Sequence, residues 1–408
     1  MTLYEELKWR GLIKDVTSPE LENKLNNEKL AFYIGTDPTA DSMHIGHYSS
    51  FLIAKRLAKA GHKPLLLIGG ATGRIGDPRP TTEREMKSIE EIEKNTKNLK
   101  KQAEEIFGFE VVDNYDWIKN INIIEFLRDY GKYFNINYML DKDIIRRRLE
   151  TGITFTEFSY MLLQSWDFLH LHETRGVNLQ VAGSDQWGNI TSGVDLIRKK
   201  LGDEVYAFTM PLILDQNGKK FGKSEGNALW LDKNKTSSYE LYQYLINTDD
   251  SMIESYLKVF TFLSPEEIMD IVSKHNNEPH LRLGQKTLAR EIITDLHGKE
   301  EYEKAVQISE NLFSGNIKEI NVNDLMIGLK DVPHFILKDE SLLDLLVNNN
   351  ICSSKREARE FLGNNAISVN GEIVNDENMF IDKTKTIEGK IVVIRRGKKK
   401  YYVGLVEE

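Results

Sequence analysis

The chain has 408 residues, 54 Lys+Arg against 63 Asp+Glu, a net charge of −9, and 40% hydrophobic against 29% charged residues. That length holds two or three domains with a sizeable core, and the composition is ordinary for a globular protein. A single cysteine, Cys352, excludes an internal disulfide, and no apolar run approaches the roughly 20 residues that cross a bilayer.

No Cys/His cluster has zinc-ligand spacing. The opening MTLYEELKWRGLIKD lacks the apolar stretch of a secretory signal and is too acidic for an organellar transit peptide, so a cytoplasmic location without membrane contact is expected. Charge is uneven. Residues 341–408 hold 11 Lys+Arg against 10 Asp+Glu, leaving 43 against 53 for the rest. An acidic body with a locally basic tail confines nucleic-acid contact to patches.

Residues 1–228 alternate short apolar runs with amphipathic stretches, the pattern of βα units and a mostly parallel sheet. KLAFYIG reads as the first strand. HIGHYSSFLIAKRLAKAG reads as a helix with Ile45, Tyr48 and Leu52 on its apolar side, stopped by Gly61. PLLLIGG reads as a fully buried strand, and a capping box from Thr82 to Glu85 is expected to open the long helix after it. FEVVD, VNLQVAG and AFTMPLIL are further strand-like runs, the last extended to Leu214. Residues 229–320 are predominantly helical in periodicity. A stretch at 321–340 with Pro333 reads as a linker. Residues 341–408 return to mixed elements: LLDLLVNN, a helix opened by Ser353 or Ser354, and strands around the turn VNGE.

Two stretches carry chemistry. In YIGTDPTADSMHIGHY a strand meets a loop and then a helix, where free backbone N–H groups at the helix start are expected to face a phosphate. His44 and His47 lie three apart on one face, and Gly46 allows close approach to the backbone. In LILDQNGKKFGKSEGNALW, Lys219, Lys220 and Lys223 sit among glycines, which suits a clamp on polyphosphate. It is not a Walker P-loop, because Asn217 stands where the first glycine would be. A solvated basic loop is the plain alternative.

The helix TFTEFSYMLLQSWDFLHLHE is apolar except at Tyr160, Gln164 and Asp167, spaced i, i+4, i+7 on one face. That spacing fits a ligand face, or a polar network between helices. GGATGRIGDP places Asp77, and GSDQWGN places Asp185, Gln186 and Asn189, in loops at strand carboxyl ends that converge on one crevice.

His44-Ile45-Gly46-His47 and Lys220-Phe221-Gly222-Lys223-Ser224 resemble the HIGH and KMSKS signatures of class I aminoacyl-tRNA synthetases. With GGATGRIGDP, DNYDW, TFTEFSYMLLQSWDF, VAGSDQWGNI and the S4-like tail SSKREAREFLGNNAISVNGE, the whole chain resembles the bacterial tyrosyl-tRNA synthetases. That resemblance implies a Rossmann-like α/β catalytic domain at 1–228, a helical anticodon-binding domain at 229–320, a linker at 321–340 and an α+β S4-like RNA-binding domain at 341–408. It implies Tyr33 and Asp167 on a substrate phenol, and Asp77, Tyr160 and Gln164 on its ammonium. Asp37 and Gln186 would line the tyrosine and adenylate pocket, with Asp185 at the ribose. His44 and His47 would stand near the phosphates, with Gly35, Gly46, Gly183 and Ser224 along the ATP path. Lys220 and Lys223 would hold the leaving pyrophosphate.

The implied partners are L-tyrosine, ATP with Mg2+, tRNA(Tyr) and a second copy of the chain. No dedicated protein metal site is expected. RNA contact is expected from Lys355, Arg356, Arg359, Arg395, Arg396 and Lys398, basic residues beside aromatics, with a solvated basic edge as the alternative. Arg282, Lys286 and Arg290 read as an i, i+4, i+8 helical stripe, equally an exposed face. Tryptophanyl-tRNA synthetase is the nearest rival, disfavoured by the Tyr33/Asp167 pair and the tail. Small adenylyltransferases lack KFGKS and the tail, and an RNA-binding relative without activity would be expected to lose the residues kept here.

Overall fold

The computed structural model describes residues 1–407 apart from Pro80, Glu83, Glu225, Gly226, Lys398 and Lys399; Lys223, Ser224 and Asn227 are described by backbone alone. Two compact units form, Met1–Thr236 with Thr248–Glu291, and Ser237–Asn247 with Ile292–Glu408.

The first unit is built on six strands: β1 (Asp15–Val16), β2 (Ala31–Thr36), β3 (Lys63–Ile68), β4 (Glu110–Asp113), β5 (Val177–Gly183) and β6 (Tyr206–Met210). Their order is β1-β6-β5-β2-β3-β4, parallel except for β1 against β6. β2 therefore lies at the switch point, with β3 and β4 to one side and β5 and β6 to the other, where α/β sheets place ligands. β1 escapes sequence reading because two residues carry no alternation. The expected strand through Leu214 ends instead at Met210, since Pro211 offers no N–H to a ladder.

Helices flank the sheet: α1 (Leu3–Trp9), α2 (Leu21–Asn27), α3 (Ile45–Lys59), α4 (Ile89–Phe107), α5 (Tyr115–Ile118), α6 (Ile123–Asp129), α7 (Ile136–Leu140), α8 (Asp143–Arg148), α9 (Phe155–Arg175) and α10 (Trp187–Leu201). α3 ends before Gly61, which adopts φ +96°, a conformation L residues rarely take. The opening expected at Thr82 is corrected: α4 starts at Ile89, where the Ser88 hydroxyl accepts the Glu91 N–H. Upstream, the Arg84 N–H is taken by Glu157 and cannot join a helix.

After the short hairpin β7 (Lys223–Ser224) and β8 (Asn227–Ala228) come α11 (Ser238–Ile246), α12 (Ile253–Phe260), α13 (Pro265–Asn277), α14 (Leu283–His297) and α15 (Lys299–Ser314). The stripe of three cations is not continuous. Arg282 sits outside α14 at φ +54°, and Arg290 pairs with Glu291.

The stretch expected to be a linker contains α16 (Val322–Gly328), capped by Asn321, and β9 (His334–Ile336). Its buried Val322, Leu325 and Leu329 are too few to register as periodicity. The second unit continues with β10 (Glu340–Ser341), α17 (Leu342–Asn348), α18 (Lys355–Gly363), β11 (Ile367–Val369), β12 (Glu372–Ile373), β13 (Phe380–Ile381), β14 (Ile391–Arg396) and β15 (Lys400–Leu405). Its five-stranded sheet runs β12-β11-β14-β15-β9. β14 is apolar at four consecutive positions because both faces are covered. Ile391 and Val393 meet Ile308, Leu312 and Leu325, while Val392 and Ile394 meet Leu345, Leu346 and Leu362. Asn370 and Gly371, both at positive φ, form the expected turn between β11 and β12. No helix among the described residues is long and apolar enough to cross a membrane.

Candidate active site

A cavity of about 410 Å³ opens at the carboxyl ends of β2, β5 and β6. Tyr33, Gly35 and Asp37 reach it from β2 and its loop, and His44, Gly46 and His47 from the start of α3. Asp77 arrives after β3, Tyr160, Gln164 and Asp167 along α9, and Gly183, Asp185 and Gln186 after β5. Lys220 closes the set. Fourteen residues singled out in the sequence thus line one space. Lys223 and Ser224 form β7, and their side chains lie outside the description, as does Lys398.

At the deep end, the Tyr33 hydroxyl is buried and without a hydrogen-bond partner, while its ring packs on Phe168 at 5.5 Å. Beside it, Asp167 accepts from Asn114 Nδ2 and from Trp117 Nε1, each at 2.9 Å. Burial pushes the Asp167 carboxyl up to about 8, against the pull of these two donors. Asn114 is itself fully buried. It donates to the Thr72 hydroxyl at 3.0 Å and accepts the Ala71 N–H at 2.8 Å, so its amide orientation is fixed.

Further out, Asp37 accepts from Tyr160 Oη at 2.9 Å and from Thr72 Oγ1 at 2.8 Å. Asp77 accepts from Gln186 Nε2 at 2.7 Å and from Asn189 Nδ2 at 3.0 Å, and Asn189 also reaches Gln164 Oε1. Burial raises both carboxyls, Asp77 to about 6. Their common environment favours a bound cation, which would offset the cost of burying their charges. Gly69 makes the arrangement possible, since a Cβ there would lie 2.1 Å from Asp37 Oδ1.

The phosphate expectation at the start of α3 needs correction. The Ile45 N–H is taken by the Leu229 carbonyl and the Gly46 N–H by His44 Nδ1, while His47 Nδ1 accepts the His44 N–H at 3.1 Å. The two imidazoles therefore cap the helix reciprocally. With Nδ1 accepting the His44 N–H, the neutral His47 ring carries its proton on Nε2. Burial, then the neighbouring His44, lowers His47 to about 3, which keeps it neutral. Gly46 has no room for a side chain, as a Cβ would stand 2.8 Å from the His44 ring. Gly222, at φ +81°, lies so close to α3 that a Cβ would fall 1.8 Å from Ile45 Cγ2. Gly222 of KFGKS thus packs directly on the HIGH turn.

Thr72, Asn114 and Trp117 escaped the sequence reading as working residues, and so did Arg84, which also lines the cavity. DNYDW was visible as a motif, but nothing local shows that its Asn and Trp meet a carboxylate about 50 residues away.

In the second unit, Arg356 is exposed on α18, whereas Lys355 pairs with Asp344 and Arg359 with Glu377. Arg396 donates to the Ile351 carbonyl and lies over Phe361, while Arg395 stands beside Gly315. These cations are spread over a helix and a strand, and most are engaged within the unit.

The profile described as tRNA synthetases class I (W and Y) matches residues 25–314, and one described as tyrosine--tRNA ligase SYY-like C-terminal domain matches 324–404. The chain belongs to the class I tRNA synthetase family. Within it, the tyrosine--tRNA ligase of Listeria monocytogenes serotype 4a is 49% identical over 415 residues, covering 99% of both chains. That of Macrococcus caseolyticus is 50% identical over 410 residues, covering 98% of each. A truncated mitochondrial tyrosyl-tRNA synthetase of Aspergillus nidulans is 34% identical with a TM-score of 0.67, spanning 76% of this chain and 94% of that one. The Rossmann-like synthetase fold expected from the motifs is borne out, and the tyrosine branch is favoured over the tryptophan one.

Proposed function

We propose that the chain is a tyrosine–tRNA ligase, making tyrosyl-adenylate from ATP and L-tyrosine and passing the tyrosyl group to the 3′ end of tRNA(Tyr). The observation that carries this reading is the buried, unpartnered Tyr33 hydroxyl beside Asp167. A phenol O–H can donate to Asp167 and accept from Tyr33 at once. An indole N–H only donates, and would leave the Tyr33 donor orphaned; phenylalanine satisfies neither.

Asp37, Asp77, Tyr160 and Gln164 would take the ammonium, with Gln186 on the carboxylate side. The tyrosine carboxylate then attacks the α-phosphorus and pyrophosphate leaves, so no nucleophilic side chain is needed. Positioning and charge stabilisation carry such a step. His44 and His47 would donate to the phosphates, and Lys220 and Lys223 would neutralise the departing pyrophosphate. Asp185 would hold the ribose. Mg2+ would enter with ATP as part of the substrate. Among the described residues, no group of three or more His, Cys, Asp or Glu is arranged to hold a metal.

The second unit would contact tRNA, with Arg356, exposed on α18, among its cations. The segments at 229–320 and 341–408 would serve anticodon and RNA binding, and the enzyme would work in the cytoplasm. A homodimer is supported by exposed Ile123, Ile124 and Leu127 on α6, Ile136 and Tyr138 on α7, and Phe155 on α9. Leu127→Glu is expected to yield monomers by sedimentation, and a variant that still sediments as a dimer overturns that surface.

The deciding experiment is ATP–pyrophosphate exchange with tyrosine, tryptophan and phenylalanine at equal concentration. Exchange with tyrosine alone is expected, and exchange with tryptophan overturns the phenol site.

A further inference from the structure

One buried ion pair near the cavity has no place in the chemistry so far. Arg148, at the end of α8, and Glu157, in the first turn of α9, meet at 3.0 Å with side chains 4% and 2% exposed. Neither lines the cavity. Burying two charges is costly, and an apolar pair of similar volume usually stabilises a fold as well or better. Stability alone is therefore a poor account of this pair.

Its remaining bonds show where it acts. Arg148 Nη1 donates to the carbonyls of Arg79 and Thr82, both at 3.0 Å, and Nε to the Gly152 carbonyl at 3.1 Å. Glu157 Oε1 accepts the Arg84 N–H at 3.0 Å. Three main-chain groups, those of Arg79, Thr82 and Arg84, are thus fixed by two side chains. They follow Asp77 in the chain, and Asp77 and Arg84 both line the cavity. Arg84 folds back, its Nε donating to the Asp77 carbonyl at 2.6 Å. Gly76 leaves space for this, since a Cβ there would stand 2.9 Å from Arg84 Cδ.

We infer that Arg148 and Glu157 are positioning residues for the amino-acid end of the cavity: through the main chain of Arg79, Thr82 and Arg84 they hold the Asp77 carboxylate and the Arg84 guanidinium in working register. The inference rests on the reading that this cavity takes tyrosine. Arg84 would balance the acidic wall, and its charge does pull Asp37 and Asp77 downward against burial. Main-chain groups of Arg79, Thr82 and Arg84 left unheld would misplace both the ammonium acceptor and its counter-cation.

The test is tyrosine-dependent pyrophosphate exchange with the full chain carrying Arg148→Met and Glu157→Leu together. Replacing both partners avoids stranding a buried charge. The KM for tyrosine should rise about tenfold, with the KM for ATP held within about twofold. Added to Arg84→Ala, the double change should do little more than Arg84→Ala alone, a non-additivity that a merely structural role would not produce. A folded double variant with wild-type KM, or effects that multiply with Arg84→Ala, overturns the inference. Should the double variant not fold, Arg148→Lys keeps the charge but cannot reach the Arg79, Thr82 and Gly152 carbonyls together. It must then show the same rise in KM, and an unmoved KM overturns the inference. Wild-type protein without tyrosine-dependent exchange overturns the underlying reading and the inference with it, whereas wild-type exchange with unmoved variants overturns the inference alone.

Discussion

Asn114 donates its side-chain amide to Asp167 at 2.9 Å, and the Ala71 N–H donating to its carbonyl prevents that amide from turning. Asp167 is thereby aimed by a residue from the other side of β2. Asn114→Ala is expected to raise the KM for tyrosine by about tenfold, since one of two donors holding the carboxylate is lost. The KM for ATP should barely move. Steady-state exchange kinetics decide it, and parallel rises in both constants would count against a role confined to the phenol end.

The raised carboxyl of Asp167 carries a stability signature. Its folded value, about 8, exceeds the usual carboxylate range, so the folded state holds a proton that the unfolded chain has released. Stability from this group is therefore complete below about pH 4, declines as pH rises, and levels off near pH 8. Replacing Asp167 by Asn removes the dependence. The difference in Tm between variant and parent should shift in favour of the variant from pH 5 to pH 8, then stay constant. A difference independent of pH would show that Asp167 is ionised throughout.

Tyr33 keeps a buried hydroxyl without a hydrogen-bond partner in the protein. Tyr33→Phe should therefore stabilise the protein, assayed without substrates, by about 1 kcal/mol in denaturant unfolding. The same change should narrow discrimination between tyrosine and phenylalanine in exchange. Loss of stability instead would mean that the hydroxyl has a partner in solution, such as a bound water.

His47 is held neutral by burial, with its value lowered to about 3. Its contribution should not titrate in the working range. The ratio of wild-type to His47→Asn exchange rates is expected to stay flat between pH 6 and 8.5. An inflection near pH 6.5 would identify a protonated imidazole as the active form.

Gly222 sits at φ +81° against Ile45. Gly222→Ala must displace the KFGKS turn, and should slow adenylate formation by about a hundredfold while leaving tyrosine affinity intact. Stopped-flow rates beside equilibrium tyrosine binding separate the two. Unchanged rates would mean that the turn need not touch α3 in the reacting complex.

Much of this site is legible in the sequence because its elements are local. Tyr160, Gln164 and Asp167 fall on one face of a 21-residue helix, and helical spacing alone makes them neighbours. The strand–loop–helix junction at His44 is likewise readable from 15 residues. What stays hidden depends on distant partners: Asn114 and Trp117 on Asp167, Leu229 on Ile45, Glu157 on Arg84. The last two also explain misreadings. Leu229 removes a backbone donor that a helix start alone would offer, and Glu157 takes the Arg84 N–H where a capping pattern points to helix.

The bond from the Ile45 N–H to the Leu229 carbonyl sets an order of events during synthesis. The HIGH turn is made early by the ribosome, yet its cap is completed only by a residue translated long afterwards. A nascent chain released before Leu229 has both histidines, their reciprocal cap and all of β2 to β6, but the Ile45 N–H lacks its acceptor. Nucleotide binding should thus be acquired abruptly, once the segment through Leu231 has emerged, and not gradually as the sheet grows.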